Sequence, residues 1–104
     1  MGAALSFPTR GAMASRFRRR RLCVLVAGAA QPAALREVSG RGAFLETAAR
    51  PALGTAVELH HPDAGGIAAR VAALEPEGIR LAFAPSERAV AFALAATAAD
   101  MTHG

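Results

Sequence analysis

The sequence predicts a mainly β protein: a small six-stranded antiparallel barrel with a C-terminal α-helix. Three observations support this fold class. The 104 residues are the length of one domain. Short β-favouring runs recur over residues 22–83, separated by hairpin-length turns that contain Gly or Pro. After Pro85 the composition becomes alanine-rich, which favours a helix. An open sandwich of the same elements is the nearest alternative.

The first three predicted strands come from compact apolar runs. Leu22–Ala27 is the first, and it contains the single cysteine, Cys23, as a small buried hydrophobic residue. Ala33–Val38 is a weaker strand that ends at the polar turn Ser39–Arg41. Gly42–Thr47 follows this turn directly and is the third strand.

The next three predicted strands show a period of two residues. Thr55–His61 alternates apolar and polar side chains, as a half-buried strand does. Ile79–Phe83 alternates in the same way and directs Arg80 outward. Between them, Ile67–Leu74 places four residues on one face: Ile67, Ala69, Val71 and Ala73.

A helix is predicted after the last strand. Ser86 is suited to the N-cap, and the carboxylate of Glu87 is favourable in the first turn. The helical stretch is Ala89–Ala98, and residues 99–104 are predicted to fray. Two of its apolar side chains lie one turn apart and form a small stripe, Val90 and Leu94. We expect this helix to cover the barrel mouth.

The positive charge is concentrated at the N-terminus. Residues 1–21 contain six arginines and no acidic residue, whereas the remaining residues contain six arginines and eight acidic residues, for a net charge of +4. Residues 1–15 have no apolar periodicity and are predicted to form a disordered arm, with the folded domain over 16–98. A basic arm favours a nucleotide, a nucleic acid or an anionic membrane. The alternative is a solvated tail.

Catalytic and metal-binding patterns are absent from the sequence. His60 and His61 are neighbours on a predicted strand, so their side chains point to opposite faces and do not readily share a metal ion. A single cysteine excludes an internal disulfide. There is no Walker loop and no paired-carboxylate motif. The sequence therefore predicts a protein that is not an enzyme and has no cofactor or metal.

The chain is also predicted to be cytoplasmic, without a membrane span. No apolar stretch approaches the roughly 18 residues that a transmembrane helix needs. A signal peptide is the alternative, because the basic segment before Leu22–Ala27 and the small residues after it follow that pattern.

Two short motifs flank the first two strands. The first is Arg16-Phe17-Arg18-Arg19-Arg20, and Arg21 follows it at the start of the strand. The second is Glu37-Val38-Ser39-Gly40-Arg41-Gly42, a polar turn closed by glycine and continued by an apolar strand. Arginine grips phosphate bidentately and stacks on planar bases. A Ser-x-x-Gly turn offers a hydroxyl and backbone N–H groups to a base edge.

In this order and spacing the motifs resemble those of PilZ domains, a bacterial family whose members typically bind cyclic di-GMP. The family has Arg-x-x-x-Arg before the first strand and (Asp or Asn)-x-Ser-x-x-Gly before a later one. Further matches are residues 53–59 and the closing strand 79–83. The resemblance covers about residues 16–98 and implies a barrel of the predicted kind.

The resemblance implies a cyclic di-GMP receptor that signals to a partner protein by reordering its arm. Its arm arginines would grip phosphate and the O6 and N7 atoms of guanine. Glu37 departs from the family pattern by one methylene. The implied site residues are Arg16, Arg20, Arg21, Glu37, Ser39 and Gly42.

Two alternatives remain at this point. One is a degenerate PilZ-like module that binds a protein and no nucleotide, which Glu37 favours. The other is a nucleic-acid binder that uses the basic arm. Against this second alternative, the strands offer only Phe44 and Phe83 as stacking residues.

Overall fold

The computed structural model describes residues 21–103, which form a closed antiparallel barrel followed by a helix. The strands close in the order β1-β2-β3-β6-β5-β4, and β4 pairs back onto β1. The predicted barrel with a C-terminal helix is confirmed. The predicted arm, residues 1–15, lies outside the described residues. The elements are β1 (Arg21–Ala27), β2 (Ala29–Ser39), β3 (Gly42–Glu46), β4 (Ala56–His61), β5 (Gly65–Glu75), β6 (Gly78–Ala82) and α1 (Glu87–His103).

The barrel interior is mainly aliphatic because alternate residues of each strand point inward. In β4, Val57, Leu59 and His61 are buried, whereas the residues between them are exposed. β1 contributes Cys23 and Leu25, each 1% exposed. The prediction that Cys23 is a small buried hydrophobic residue is therefore confirmed.

β2 begins at Ala29, earlier than the predicted Ala33. Gly28 makes the turn from β1 with φ +84°, a backbone conformation open to glycine. Pro32 lies in this extension, where β2 is paired only with β1. Its carbonyl oxygen accepts a hydrogen bond from Thr47 Oγ1 at 2.9 Å, on the side away from β1. The N–H and C=O groups of a strand residue point to the same side. Proline has no N–H group, and at position 32 that group would point away from β1, so no hydrogen bond to β1 is lost.

Each of the two longest strands contains a register shift. On β2 the shift lies between Leu35 and Glu37, and on β5 it lies between Val71 and Ala73. The prediction that Ala73 shares the inward face of Val71 is wrong. The extra residue in β5 makes Ala73 the partner of the outward-facing Arg80, which turns Ala73 to the outer surface.

The helix α1 begins as predicted and continues to His103, beyond the predicted end at Ala98. Ser86 is the N-cap, since its Oγ accepts a hydrogen bond from the backbone N–H of Ala89 at 3.0 Å. The face packed on β2 and β5 is not the Val90–Leu94 stripe, which is exposed. The buried face consists of Ala89, Phe92, Ala93 and Ala96.

The two adjacent histidines do point to opposite faces. His61 is buried, and its Nδ1 accepts backbone N–H bonds from Asp63 at 3.0 Å and Ala64 at 3.1 Å. Its proton therefore lies on Nε2, which faces an Oδ1 atom of Asp100 on α1 at 3.4 Å. His60 is exposed. His61 thus ties the β4–β5 turn to the helix.

Two further findings concern the described residues as a whole. Within residues 21–103, no three His, Cys, Asp or Glu side chains group closely enough to hold a metal ion. In the same part of the chain, no helix has both the length and the apolar character needed to cross a bilayer.

Candidate functional site

A groove of about 350 Å³ lies on the outer face of the barrel, lined by residues of β2, β3, β5 and β6 and of the turn between β2 and β3. Strand pairing brings three residues of the second motif together at this place. Glu37 lies in one cross-strand row with Phe44 and Arg80. Ser39 and Gly42 pair with each other in the next outward-facing row. The structure therefore brings Glu37, Ser39 and Gly42 to one surface, where all three line the groove.

The turn between β2 and β3 is a two-residue hairpin loop, because Ser39 pairs directly with Gly42. Ser39 Oγ accepts a hydrogen bond from the backbone N–H of Arg41 at 3.1 Å, which fixes the turn. Since the oxygen accepts this bond, the hydroxyl hydrogen can be donated to a ligand. The turn thus brings a hydroxyl donor, Ser39, and an arginine, Arg41, to the lining of the groove.

Gly42 is required by the close approach of a neighbouring strand. A Cβ atom at this position would overlap the carbonyl oxygen of Leu81 on β6. Its φ does not lie in the left-handed region, so an unusual backbone conformation is not the reason for the glycine. Gly42 and Ala82 are cross-strand neighbours. Because both are small, the surface between the side chains of β2 and β6 remains open.

We expect Gly42→Ala to lower the free energy of unfolding by about 1–3 kcal/mol, as overpacking does. The added methyl group would force β3 and β6 apart. Chemical denaturation followed by circular dichroism measures the change. Gly40→Ala, in the same hairpin, is the matched control, because the nearest atom to its Cβ would be Val90 Cγ2 at 3.4 Å, an ordinary contact. Equal losses in the two variants would contradict the steric explanation.

Arg80 is a site residue that the sequence did not identify as such. It lines the groove, and its Nη1 lies 3.5 Å from Glu37 Oε1. Its Nε donates to Glu75 Oε2 at 3.4 Å. The alternation of apolar and polar residues in β6 correctly predicted that Arg80 points outward. The order of the strands, which places β6 beside β3 and so brings Arg80 near Glu37, has no signal in the local sequence.

Phe44 supports this surface from below. It points away from the barrel core, yet it is only 3% exposed because two guanidinium groups cover it. The Cζ atoms of Arg36 and Arg80 lie 5.3 and 5.0 Å from its ring centroid. Arg36 Nη1 also bonds Glu77 at 2.5 Å, and this hydrogen bond raises the pKa of Arg36. Arg36 is therefore held by its partners beside the ring.

The remaining predicted site residues belong to the first motif. Arg21 is the first residue of β1, where its backbone pairs with Leu35 of β2. Because the two strands are antiparallel, the N-terminal end of β1 is directed toward the end of β2 that carries Glu37 and Ser39. Two predicted site residues, Arg16 and Arg20, lie outside the described residues.

The groove offers two guanidinium groups and a hydroxyl as donors, with one carboxylate as an acceptor. This set suits an anion, because charge-assisted bonds from arginine to phosphate are among the strongest polar contacts in proteins. A base edge that carries N–H donors would suit the carboxylate of Glu37.

Comparison of the chain with family models, with curated proteins and with solved structures gives no match.

Proposed function

We propose that this protein is a cytoplasmic bacterial receptor for cyclic di-GMP, a PilZ-like binding protein and not an enzyme. The observation that carries the proposal is the convergence of Glu37, Ser39 and Gly42 on one groove, toward which the N-terminal end of β1 is directed. Binding would order the arginine motif and present it to a partner protein. That ordering is the signal.

Each site residue has a proposed role, and the geometry of the groove supports the roles of Glu37, Ser39 and Gly42. Arg16, Arg20 and Arg21 grip phosphate and the guanine O6 and N7 atoms. Ser39 donates its hydroxyl, and Glu37 accepts from a base edge. Gly42 leaves the groove floor open, because a side chain there has no room beside Leu81. The groove arginines add to the arm in attracting a ligand with two phosphates.

Calorimetric titration of the whole chain with cyclic di-GMP tests the proposal, and GTP is the matched control. We expect cyclic di-GMP to bind to a single kind of site and GTP to bind at least about tenfold more weakly. A receptor that contacts both guanines of cyclic di-GMP makes fewer contacts with GTP, which has only one guanine. Equal affinities for cyclic di-GMP and GTP would show that the groove binds anions without selecting cyclic di-GMP. If neither nucleotide gives a heat signal while circular dichroism shows that the protein is folded, the proposed receptor function is wrong.

A protein-interaction module without nucleotide binding is the second candidate. The contact between Arg80 and Glu37 favours it, because each already has a charged partner in the groove. A nucleic-acid binder has weaker support. All three phenylalanines within residues 21–103 are buried, so this part of the chain has no exposed aromatic ring on which bases would stack.

A further inference from the structure

We propose that Arg80 is a phosphate-binding residue supplied by the barrel itself, and that Glu37 is its internal competitor. In this view a phosphate that enters the groove takes the Arg80 guanidinium from Glu37. The inference rests on the proposed function and deepens it, since it assigns a barrel residue to the phosphate and a second role to Glu37. Phosphate esters and pyrophosphate are the ligand class.

The position of Arg80 favours this role. It lies in the middle of β6, a rigid element, with Phe44 and Ala73 as its cross-strand neighbours. Its guanidinium rests over the Phe44 ring, with Cζ 5.0 Å from the centroid, while the side chain remains 44% exposed. The ring therefore orients the planar fork, and its N–H edge remains accessible to solvent. A fork oriented in advance loses less conformational entropy when it binds phosphate.

The present partners of Arg80 are weakly bound. Its contacts with Glu37 and Glu75 are 3.5 and 3.4 Å long. Well-formed bonds between a guanidinium and a carboxylate are about 2.7–2.9 Å. Both carboxylates are exposed, with side chains at 64% and 41%, and such surface pairs contribute little. A phosphate that binds the fork bidentately would therefore displace them.

Arg36 covers the same Phe44 ring but is held differently. It bonds Glu77 at 2.5 Å and also lies 3.3 Å from Glu46. The two carboxylates grip it from β3 and from the turn before β6. Arg36 does not line the groove, whereas Arg80 does. The two arginines thus have different roles: Arg36 packs against the Phe44 ring, and Arg80 is available to bind the ligand.

Glu37 sets the strength of this response. It lies in the same cross-strand row as Arg80, with Phe44 between them. Its negative charge neutralises part of the field that a phosphate would feel. Glu37→Gln keeps the shape and removes the charge, so it should strengthen phosphate binding. Arg80→Gln removes the fork and should weaken it.

Calorimetry with two probes, inorganic pyrophosphate and cyclic di-GMP, tests the inference on the whole chain. We expect Arg80→Gln to bind both probes about tenfold more weakly, the effect of about one charge-assisted hydrogen bond. Glu37→Gln should bind pyrophosphate, which has no base edge for Glu37 to read, about threefold or more tightly, since a competing surface charge is lost. Arg70→Gln is the matched control, because Arg70 is an exposed strand arginine that bonds the Gly54 carbonyl and does not line the groove.

The outcomes separate the two proposals. Pyrophosphate binding that depends on Arg80, without any cyclic di-GMP binding, supports the inference and overturns the receptor function. Cyclic di-GMP binding that is unchanged in Arg80→Gln overturns the inference and leaves the receptor. Weaker pyrophosphate binding by Glu37→Gln overturns the competitor role, and wild type that binds neither probe overturns the inference. If Arg80→Gln does not fold, the Arg80 Nε–H resonance of wild type decides: a shift during pyrophosphate titration supports the inference, and no shift overturns it.

Discussion

Replacing Arg16 and Arg20 together by alanine is expected to remove most of the affinity for cyclic di-GMP. Under the proposed function both guanidinium groups make charge-assisted contacts with the ligand, and each lost contact costs about 1.5–3 kcal/mol. The pair therefore accounts for about 3–6 kcal/mol, which is a loss of at least about a hundredfold in affinity. Calorimetric titration of the double variant measures the loss directly.

Arg10→Ala is the control for this prediction. Arg10 belongs to the same basic segment but precedes the motif, so its loss reduces the general charge without removing a predicted contact. Affinity close to that of wild type is expected. If the double variant binds as tightly as wild type, the arm does not hold the ligand. If Arg10→Ala is weakened as strongly as the double variant, attraction by the arm is general and not a property of the motif.

The elements of the fold were predictable because each follows from local physics. Period-two alternation in 55–61 and 79–83 gave the inward faces, and Ile79, Leu81 and Phe83 are buried as predicted. Ser86 also caps the helix as its side chain suggests. The exact strand ends were less predictable. The extension of β2 through Pro32 depends on which side of the strand is paired, and this is a property of the closed sheet.

The features that escaped prediction depend on contacts between distant residues. The bulge in β5 turns Ala73 outward, and a single residue type does not signal it. The buried helix face was missed because small alanines, not Val90 and Leu94, allow the helix to approach the barrel. At the candidate site, the motif located Glu37, Ser39 and Gly42. Arg80 became a site residue only through the strand order, which joins positions far apart in the chain.

The packing of the helix provides the prediction with the largest effect on stability. Phe92 is 0% exposed, and its ring meets Phe83 edge-on with centroids 5.7 Å apart. It also meets the buried ring of His61 at 6.2 Å. We expect Phe92→Ala to lower the free energy of unfolding by about 3–5 kcal/mol, because a large buried ring is lost and a cavity remains. Domains of this size have only about 5–15 kcal/mol in total, so the variant should lose a large fraction of its stability.

Chemical denaturation followed by circular dichroism measures this change, with Leu94→Ala as the control. Leu94 lies on the same helix but is 67% exposed, so its truncation should change stability by no more than about 0.5 kcal/mol. A large loss in Leu94→Ala together with a small loss in Phe92→Ala would show that the helix packs through the opposite face.

Because Val90 lies beside the Gly40 turn, release of the helix should also loosen the loop that holds Ser39. Phe92→Ala should therefore weaken ligand binding although Phe92 does not line the groove.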